Sequence, residues 1–205
     1  MTGVWVLGGG GHAKVVVATL QSAGNKIAGV FDEDAGKKGL TLLSAKIEGR
    51  TPDPDWWRAE NRSAIVAIGN NATRQRVAEL PAQWMTATHP EAHAHSSVLV
   101  GCGSLICAGV VVQPDVKIGK HVIANTSCSI DHDCVIGDFA HIAPGVTLAG
   151  EVRIGDRTFV GAGATIIQGV TVGPDAVIGA GAVVISDIAE GQKVAGVPAR
   201  SLSHD

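Results

Sequence analysis

Residues 130–160 read IDHDCV-IGDFAH-IAPGVT-LAGEVR-IGDRTF-V, a run of six-residue units that each begin with an aliphatic residue. The same period extends from residue 94 to about residue 189. An α-helix cannot keep a strict period of six on one face, whereas a short strand followed by a corner can. The leading residues are aliphatic in all sixteen units: Ala94, Val100, Ile106, Val112, Ile118, Ala124, Ile130, Ile136, Ile142, Leu148, Ile154, Val160, Ile166, Val172, Ile178 and Val184.

Three such units make one triangular coil, and successive coils pair as parallel strands about 4.8 Å apart. The residue four places after each leading residue is in most units small or β-branched, so both positions suit a narrow core. Gly often follows the leading residue, and we expect it to supply the backbone of the corners. The period therefore predicts a parallel β-helix, and we place it in residues 86–205.

The composition excludes several classes of protein. Aromatic residues make up only 3% of the chain, which suits a core of Val, Ile and Ala in thin layers. The net charge is −3 and no basic run exists, so nucleic acid is not an expected partner. The first apolar stretch has no positive region before it and soon meets glycines, so we expect neither a signal peptide nor a membrane span, and a cytoplasmic location.

The four cysteines form no Cys-x-x-Cys pair, so a zinc site is not indicated. In a cytoplasmic protein they are expected to be reduced. Cys128 and Cys134 occupy small inward positions of the repeat, where packing is the expected role.

The N-terminal third reads as a small βαβαβ unit, which we place in residues 1–85. Residues 44–62 read as a loop-rich connector with a short helix, and residues 81–93 as the passage into the repeat. The predicted elements are strands at 4–8, 27–31 and 64–68 and helices at about 13–23 and 72–79.

Four consecutive glycines, residues 8–11, separate the first strand from the first helix. Backbone N–H groups and a helix N-terminus face an anion at such a loop, which predicts a phosphate cradle, although a merely tight turn is the alternative. Asp32 ends the second strand, where an acid that binds a ribose is expected. No second βαβ half precedes residue 94, so a single nucleotide attached to another group fits better than NAD.

Two histidines lie in a polar part of the repeat. His132 is flanked by Asp131 and Asp133, and His141 follows nine residues later. A histidine oriented by a carboxylate can remove a proton from an attacking amine. The alternatives are an exposed histidine on a polar face, or a three-histidine zinc site like that of the gamma-class carbonic anhydrases. His132 and His141 lack the spacing of that zinc site, so no metal is predicted.

Taken together, these motifs resemble the sugar O- and N-acyltransferases that join a nucleotide-binding domain to a left-handed β-helix, among them the amino-sugar N-acetyltransferases of the bacillosamine and perosamine type. The resemblance covers essentially the whole chain. It is carried by residues 8–16, 67–71, 125–127, 131–137 and 196–200.

The resemblance implies an N-acetyltransferase that uses acetyl-CoA as co-substrate, acts on a nucleotide-linked amino sugar and works as a homotrimer with active sites between subunits. It implies that His132 is the general base, that Asp133 orients it, and that Asp131 and Asn125 support the site. His141 is implied to lie near the acetyl group. The implied contacts to the nucleotide sugar are Gly9, Gly10, Gly11, His12, Asp32, Gly69 and Asn70, and those to acetyl-CoA are Gly150, Ala162 and Ala180. A sugar O-acetyltransferase and a non-catalytic sugar-nucleotide-binding scaffold stay open as alternatives.

Overall fold

The computed structural model describes residues 3–60 and 62–202, which form a six-stranded α/β sheet followed by a parallel β-solenoid. In the sheet the strands lie in the order β3-β4-β2-β1-β5-β6, and only β3 and β4 pair antiparallel. Its elements are β1 (Val4–Leu7), α1 (Gly11–Ser22), β2 (Ile27–Phe31), a 3-10 turn (Ala35–Lys37), β3 (Thr41–Leu42), β4 (Ala45–Gly49), α2 (Pro54–Ala59), β5 (Ser63–Val66), α3 (Asn71–Val77) and β6 (Gln83–Trp84).

The predicted βαβαβ unit is confirmed as β1, α1, β2, β5 and α3. Helix α1 begins at Gly11, two residues before the predicted start, because the extended Gly10 ends the loop and serves as N-cap. Inside residues 44–62 the short helix is present as α2, where the Asp53 side chain accepts from the Trp56 N–H and Pro54 occupies the first turn. Trp57 on this helix is fully buried.

Three strands that extend the sheet were not predicted, β3 and β4 on one side and β6 on the other. In β4, Ala45, Ile47 and Gly49 are buried and alternate with more exposed residues, which is the period of a strand. Only Ile47 among them is large and apolar, so the sequence pattern is weak. The description of residues 44–62 as mainly a connector was therefore incomplete.

The solenoid has three faces, each a parallel sheet of two-residue strands. Its strands are β7 (Ala87–Thr88), β8 (His93–Ala94), β9 (Leu99–Val100), β10 (Leu105–Ile106), β11 (Val111–Val112), β12 (Lys117–Ile118), β13 (Ile123–Ala124), β14 (Ser129–Ile130), β15 (Val135–Ile136), β16 (His141–Ile142), β17 (Thr147–Leu148), β18 (Arg153–Ile154), β19 (Phe159–Val160), β20 (Thr165–Ile166), β21 (Thr171–Val172), β22 (Val177–Ile178), β23 (Val183–Val184), β24 (Lys193–Ala195, slightly longer) and β25 (Arg200–Ser201). The first face contains β7, β10, β13, β16, β19, β22, β24 and β25, the last of these antiparallel; the second contains β8, β11, β14, β17, β20 and β23; the third contains β9, β12, β15, β18 and β21.

The three faces meet at three corners, which carry the residues discussed below. The first corner joins the first and second faces, as at residues 125–128. The second corner joins the second and third faces, as at 131–134. The third corner joins the third and first faces, as at 137–140.

The six-residue period is confirmed in the core, where the leading residues from Ile106 to Val184 are all buried. Ala94 and Val100 are exposed because the coil they belong to is at the open end of the solenoid. Pairing of β7 with β10 shows that the solenoid begins before residue 94. In β7 the leading position is occupied by Thr88, which is not aliphatic. The aliphatic pattern in the sequence therefore begins at least one unit after the solenoid itself begins. The predicted division into 1–85 and 86–205 stays a prediction; it falls between β6 and β7.

The role predicted for the glycines after the leading residues was wrong. The residues with positive φ lie two places further on, at every sixth position from 103 to 181, and many are not glycine. A glycine such as Gly137 is needed instead because the coils stack closely: a Cβ there would lie 2.4 Å from Oδ1 of Asp156 and 2.8 Å from the carbonyl carbon of Gly155. The non-glycine corner residues with positive φ are Asp115, His121, Ser127, Asp133, Phe139, Glu151, Arg157 and Asp175.

The α/β sheet domain packs against the first face of the solenoid. Leu105 and Ile123 point outward from that face, yet each is only 2% exposed. Helix α1 contacts β7 at the base of the same face. The docking creates a junction between the two parts of the chain, and the candidate site adjoins it. No helix among residues 3–60 and 62–202 is long and apolar enough to cross a bilayer.

Candidate active site

A pocket of about 420 Å³ opens at the N-terminus of α1, and the glycine loop forms one of its walls. Most of the residues predicted to contact a nucleotide sugar line it. These are Gly9, Gly10, Gly11, His12, Asp32 and Gly69.

The local backbone explains why this loop leaves room for an anion. Gly8 has a φ of +112°, which turns the chain sharply after β1. Gly10 is the N-cap of α1 but has no side chain to satisfy the N–H groups of the first turn. A Cβ placed on Gly10 or Gly11 would meet no atom within 4 Å, so the space in front of these N–H groups is open. Helix dipole and free donors together favour a phosphate there.

Asp32 holds the glycine loop in place. Its Oδ2 accepts from the Gly9 N–H at 2.6 Å and from the Lys37 ammonium at 3.1 Å, and its Oδ1 accepts from the Asp34 N–H. Burial raises the pKa of the Asp32 carboxyl, but these hydrogen bonds outweigh it and hold the pKa below its ordinary value. The carboxylate is therefore ionised and stands at the edge of the pocket.

Asn70 does not join the other predicted residues in this pocket. Its side chain caps α3, where Oδ1 accepts from the Thr73 N–H at 2.9 Å. It lines a second groove of about 350 Å³ together with Asn71, Arg157 and Phe159. Gly69 borders both the groove and the pocket.

His12 and His141 are brought together at the junction of sheet and solenoid, with ring centroids 6.1 Å apart. The Nε2 atom of His12 is buried and has no hydrogen-bond partner among the described residues. Burial and then the charge of Arg74 lower the pKa of both histidines to about 4, so both are neutral at neutral pH.

The hydrogen bonds of His141 define its tautomer. Asn125 Oδ1 accepts from the N–H of Thr126, so its amide nitrogen is the atom 3.2 Å from Nε2 of His141. An amide nitrogen only donates, which makes Nε2 the acceptor. Nδ1 therefore carries the proton and faces the Gly69 carbonyl oxygen at 3.4 Å. Because its lone pair is engaged, His141 orients neighbouring groups and does not act as a free base in this arrangement.

Arg74 on α3 was not predicted, although it is the most heavily hydrogen-bonded side chain at the junction. It is 1% exposed, and it donates to carbonyl oxygens on both parts of the chain and to one side-chain amide. A single Arg on a short helix carries no sequence signal that separates it from a surface residue. Its acceptors are the carbonyl oxygens of Ile68, Gly69, His121, Phe139 and Ala140 and Oδ1 of Asn71.

His132 lies at the second corner, exposed, and forms a dyad with Asp133. Its Nδ1 is 2.8 Å from Oδ2 of Asp133, and its backbone N–H donates to Asp131 Oδ1 at 2.7 Å. The hydrogen bond that His132 donates to the Asp133 carboxylate, aided by the charges of Asp131 and Glu151, raises the pKa of His132 above its ordinary value despite opposing desolvation. A carboxylate on Nδ1 leaves Nε2 as the atom that can take a proton.

Gly150 lies directly beside His132 on the next coil. A Cβ on Gly150 would be 2.6 Å from Nε2 of His132, so only glycine lets the ring lie where it does. Ala162 and Ala180 occupy the first corner instead, in the same column as Ala108 and Thr126. Within one chain the residues predicted to hold acetyl-CoA are thus divided between two corners.

Comparison with known proteins places this architecture in a family. Residues 3–80 match the family model described as the PglD N-terminal domain, and residues 151–186 match the hexapeptide repeat of succinyl-transferase. The chain is 33% identical over 160 residues to GDP-perosamine N-acetyltransferase of Escherichia coli O157:H7, covering 72% of this chain and 70% of that one.

Solved structures extend the match to nearly the whole chain. Perosamine N-acetyltransferase of Caulobacter crescentus, a histidine variant in complex with CoA and GDP-perosamine, superposes with a TM-score of 0.93 at 36% identity and covers 98% of this chain and 97% of that one. The acetyltransferase domain of PglB from Neisseria gonorrhoeae, in complex with acetyl coenzyme A, gives 0.88 at 34% identity and covers 98% and 99%. This chain belongs to the hexapeptide-repeat sugar N-acetyltransferase family.

Three of the four cysteines are unsuited to act as nucleophiles in a covalent intermediate. Burial raises the pKa of Cys107 and Cys128 to about 12 and that of Cys134 to about 11, so these thiols stay protonated. Cys128 and Cys134 are fully buried, which confirms the predicted packing positions. Cys102 is exposed at the third corner.

A three-histidine zinc site is the metal alternative for His132 and His141. Among residues 3–60 and 62–202 no group of three or more His, Cys, Asp or Glu side chains is arranged to hold an ion. His132 hydrogen-bonds to the Asp133 carboxylate, and His141 to the Asn125 amide and the Gly69 carbonyl oxygen.

Proposed function

We propose that the protein transfers the acetyl group of acetyl-CoA to the amine of a nucleotide-linked amino sugar, with a GDP-linked sugar of the perosamine type as the acceptor. The observation that carries the proposal is the presence, on one chain, of an open phosphate cradle at α1 and of the His132–Asp133 dyad on the solenoid. The perosamine acetyltransferases that this chain resembles over nearly its whole length support the choice of nucleotide and sugar.

The acceptor occupies the pocket at α1. The free N–H groups at Gly10 and Gly11 bind the diphosphate, while Asp32 stands beside the nucleoside. Gly69 and Asn70 form the turn on the opposite side. His12 presents its unpartnered Nε2 to the sugar end of the ligand, close to His141.

His132 acts as general base in a direct transfer. The amine nitrogen attacks the thioester carbonyl carbon while Nε2 of His132 accepts the amine proton, and the same proton is then delivered to the departing CoA sulfur. The C–N bond forms and the C–S bond breaks without an acyl-enzyme. Asp133 holds Nδ1 and stabilises the imidazolium. The N–H of Gly150, which has no acceptor among the described residues, binds the developing oxyanion.

The complete site requires more than one copy of the chain. The first and second corners border the second face of the solenoid, so a three-fold axis in front of that face sets the first corner of one copy against the second corner of the next. That arrangement brings Ala162 and Ala180 of one subunit to Gly150 and His132 of another. We therefore propose a homotrimer with acetyl-CoA bound between neighbouring subunits.

The reaction sets the enzyme in the cytoplasm, since acetyl-CoA and nucleotide sugars are cytoplasmic metabolites. The product is an N-acetylated nucleotide sugar, a precursor suited to a surface polysaccharide or another glycan.

Release of the CoA thiol tests the proposal. Acetyl-CoA is incubated with the protein and with GDP-, UDP- and dTDP-linked amino sugars, each paired with a control sugar that has a hydroxyl in place of the amine. Thiol release only with the amine, together with a new amide in the product, supports N-transfer. Release with the hydroxyl sugar would show O-transfer, and tight nucleotide binding without any release would show a scaffold.

A further inference from the structure

Arg74 is a buried cation whose partners are all neutral. Its guanidinium meets five backbone carbonyl oxygens and one side-chain amide oxygen, and no carboxylate among the described residues pairs with it. Removing a charge from water without a counter-ion is costly, and buried arginines are usually paired for this reason. Although burial lowers the pKa of Arg74 to about 10, it stays charged at neutral pH.

The acceptors of Arg74 lie on two bodies. Nη1 holds the carbonyl oxygens of Ile68 and Gly69 at 3.0 and 3.1 Å, on the turn that borders the pocket. Nε and Nη2 reach the third corner of the solenoid, where the His121 and Phe139 carbonyl oxygens accept at 2.8 and 2.6 Å. The side chain thus fixes the pocket turn against the solenoid.

The charge of Arg74 also reaches the pocket. Its field is one of the causes that lower the pKa of His12, which lines the pocket, and of the adjacent His141. The Gly69 carbonyl oxygen is shared by Arg74 Nη1 at 3.1 Å and His141 Nδ1 at 3.4 Å. Only a guanidinium carries enough donors for these hydrogen bonds, and the positive charge that comes with it has no counter-ion among the described residues.

We propose that Arg74 is a positioning residue for the acceptor: it fixes the Gly69 turn, and its unpaired charge is balanced by the diphosphate of the nucleotide that binds at the N-terminus of α1. The inference rests on the proposed function. Arg74 lies behind the Gly69 turn, the N-terminus of α1 is uncapped at Gly10, and both glycines line the pocket, so a diphosphate bound there complements the cation and the helix end together. Binding of the nucleotide therefore also consolidates the junction between the sheet and the solenoid.

Nucleotide binding to charge variants tests the inference. Calorimetry compares wild type, Arg74→Gln, Arg74→Lys and Arg76→Gln against the nucleoside diphosphate, of GDP, UDP and dTDP, that wild type binds most tightly, and against its parent nucleoside. Arg76 is the matched control because it is exposed on the same helix. We expect Arg74→Gln to weaken binding of the diphosphate by about tenfold or more, the scale of one charge–charge interaction in a protein. Its effect on the affinity for the nucleoside should be small.

Arg74→Lys is expected to keep most of the preference for the diphosphate, and Arg76→Gln to keep all of it. If Arg74→Gln weakened binding of the diphosphate and of the nucleoside equally, the role of Arg74 would be purely structural and the inference would be overturned. Unchanged affinity for both would overturn it as well.

A second measurement uses only the wild-type protein, so it does not depend on whether a variant folds. With ¹⁵N-labelled arginine, the Nε–H resonance of Arg74 is expected to shift with the diphosphate and to stay in place with the nucleoside, and equal shifts would overturn the inference. If wild type transfers acetyl groups but shows no such selectivity, only the inference fails. If wild type neither binds a diphosphate nor transfers, the proposed function fails and takes the inference with it.

Discussion

His132 and His141 stand nine residues apart in the chain but at different places on the solenoid, His132 at the second corner and His141 on the first face beside His12. The third face lies between them along the chain. His141 belongs with the pocket that is proposed to hold the acceptor, whereas His132 carries the proposed base. In the proposed trimer, a site that uses both draws them from two copies of the chain.

Complementation between subunits tests the shared site. His132→Ala removes the base, and Gly10→Val fills the phosphate cradle of the other half, so we expect each variant alone to be nearly inactive. When the two are co-expressed with different tags and the mixed trimers isolated, about a third of the wild-type rate should return, because each mixed trimer joins the two intact halves at one of its three sites. A rate equal to the mean of the two single variants would place both halves in one chain.

The pH profile of kcat/KM should reveal the His132–Asp133 hydrogen bond. The base works only when neutral, so kcat/KM rises with pH through the pKa of His132, which the Asp133 carboxylate holds above its ordinary value. In Asp133→Asn the protonated form loses that stabilisation, so the rising limb should move to lower pH while the plateau falls. Asp53→Asn, a change at an exposed helix cap far along the chain, serves as control. An unmoved limb, or one moved to higher pH, would contradict the dyad.

A methyl group at residue 10 should weaken binding of the nucleotide-sugar acceptor and leave the fold intact. Gly10 has a negative φ, and a Cβ there meets no atom within 4 Å, so Gly10→Ala costs the free protein little. With the phosphates in place the same methyl group occupies their space. Steady-state kinetics should show the KM of the nucleotide sugar raised about tenfold or more and the KM of acetyl-CoA nearly unchanged. An increase confined to acetyl-CoA would place the donor, not the acceptor, at this loop.

Two glycines of the solenoid should differ sharply in their tolerance of alanine. A Cβ on Gly137 would collide with the next coil, so Gly137→Ala should destabilise the protein by about 2–3 kcal/mol. Gly163 has a φ of +67° but open space around it, and Gly163→Ala should cost only about 1 kcal/mol of backbone strain. Thermal or denaturant unfolding of the two variants measures the difference. Equal losses, or the reverse order, would contradict the explanation by coil stacking.

The solenoid could be predicted because its core positions recur at a fixed spacing along the sequence. Each unit repeats the same inward residues, and the aliphatic positions from Ile106 to Val184 are buried as expected. The corner conformation carries no such signal: Phe139, Glu151 and Arg157 adopt positive φ although none of these residue types is typical of it. Stacking of identical corners imposes that conformation, so it becomes visible only when the coils are assembled.

The candidate site could be predicted only where neighbours in sequence act together. The glycine loop and the Asp131-His132-Asp133 triplet each consist of consecutive residues, so both are visible in the sequence. The structure shows open space at the glycine loop and a hydrogen-bonded His132–Asp133 dyad in the triplet. Contacts across the junction join residues far apart in the chain. The shared Gly69 carbonyl and the buried Arg74 depend on how the sheet docks on the solenoid, and sequence periodicity does not encode that docking.

Acetyl transfer by wild type and His132→Asn, measured side by side with acetyl-CoA and a GDP-linked amino sugar, tests the account most directly. Wild type should release CoA thiol and form the N-acetyl sugar. The variant should be slower by about 10²–10⁴-fold, the usual contribution of a general base, with an unchanged melting temperature because His132 is exposed. Transfer by the variant at a rate close to wild type, or no transfer by wild type to any nucleotide-linked amino sugar, would contradict it.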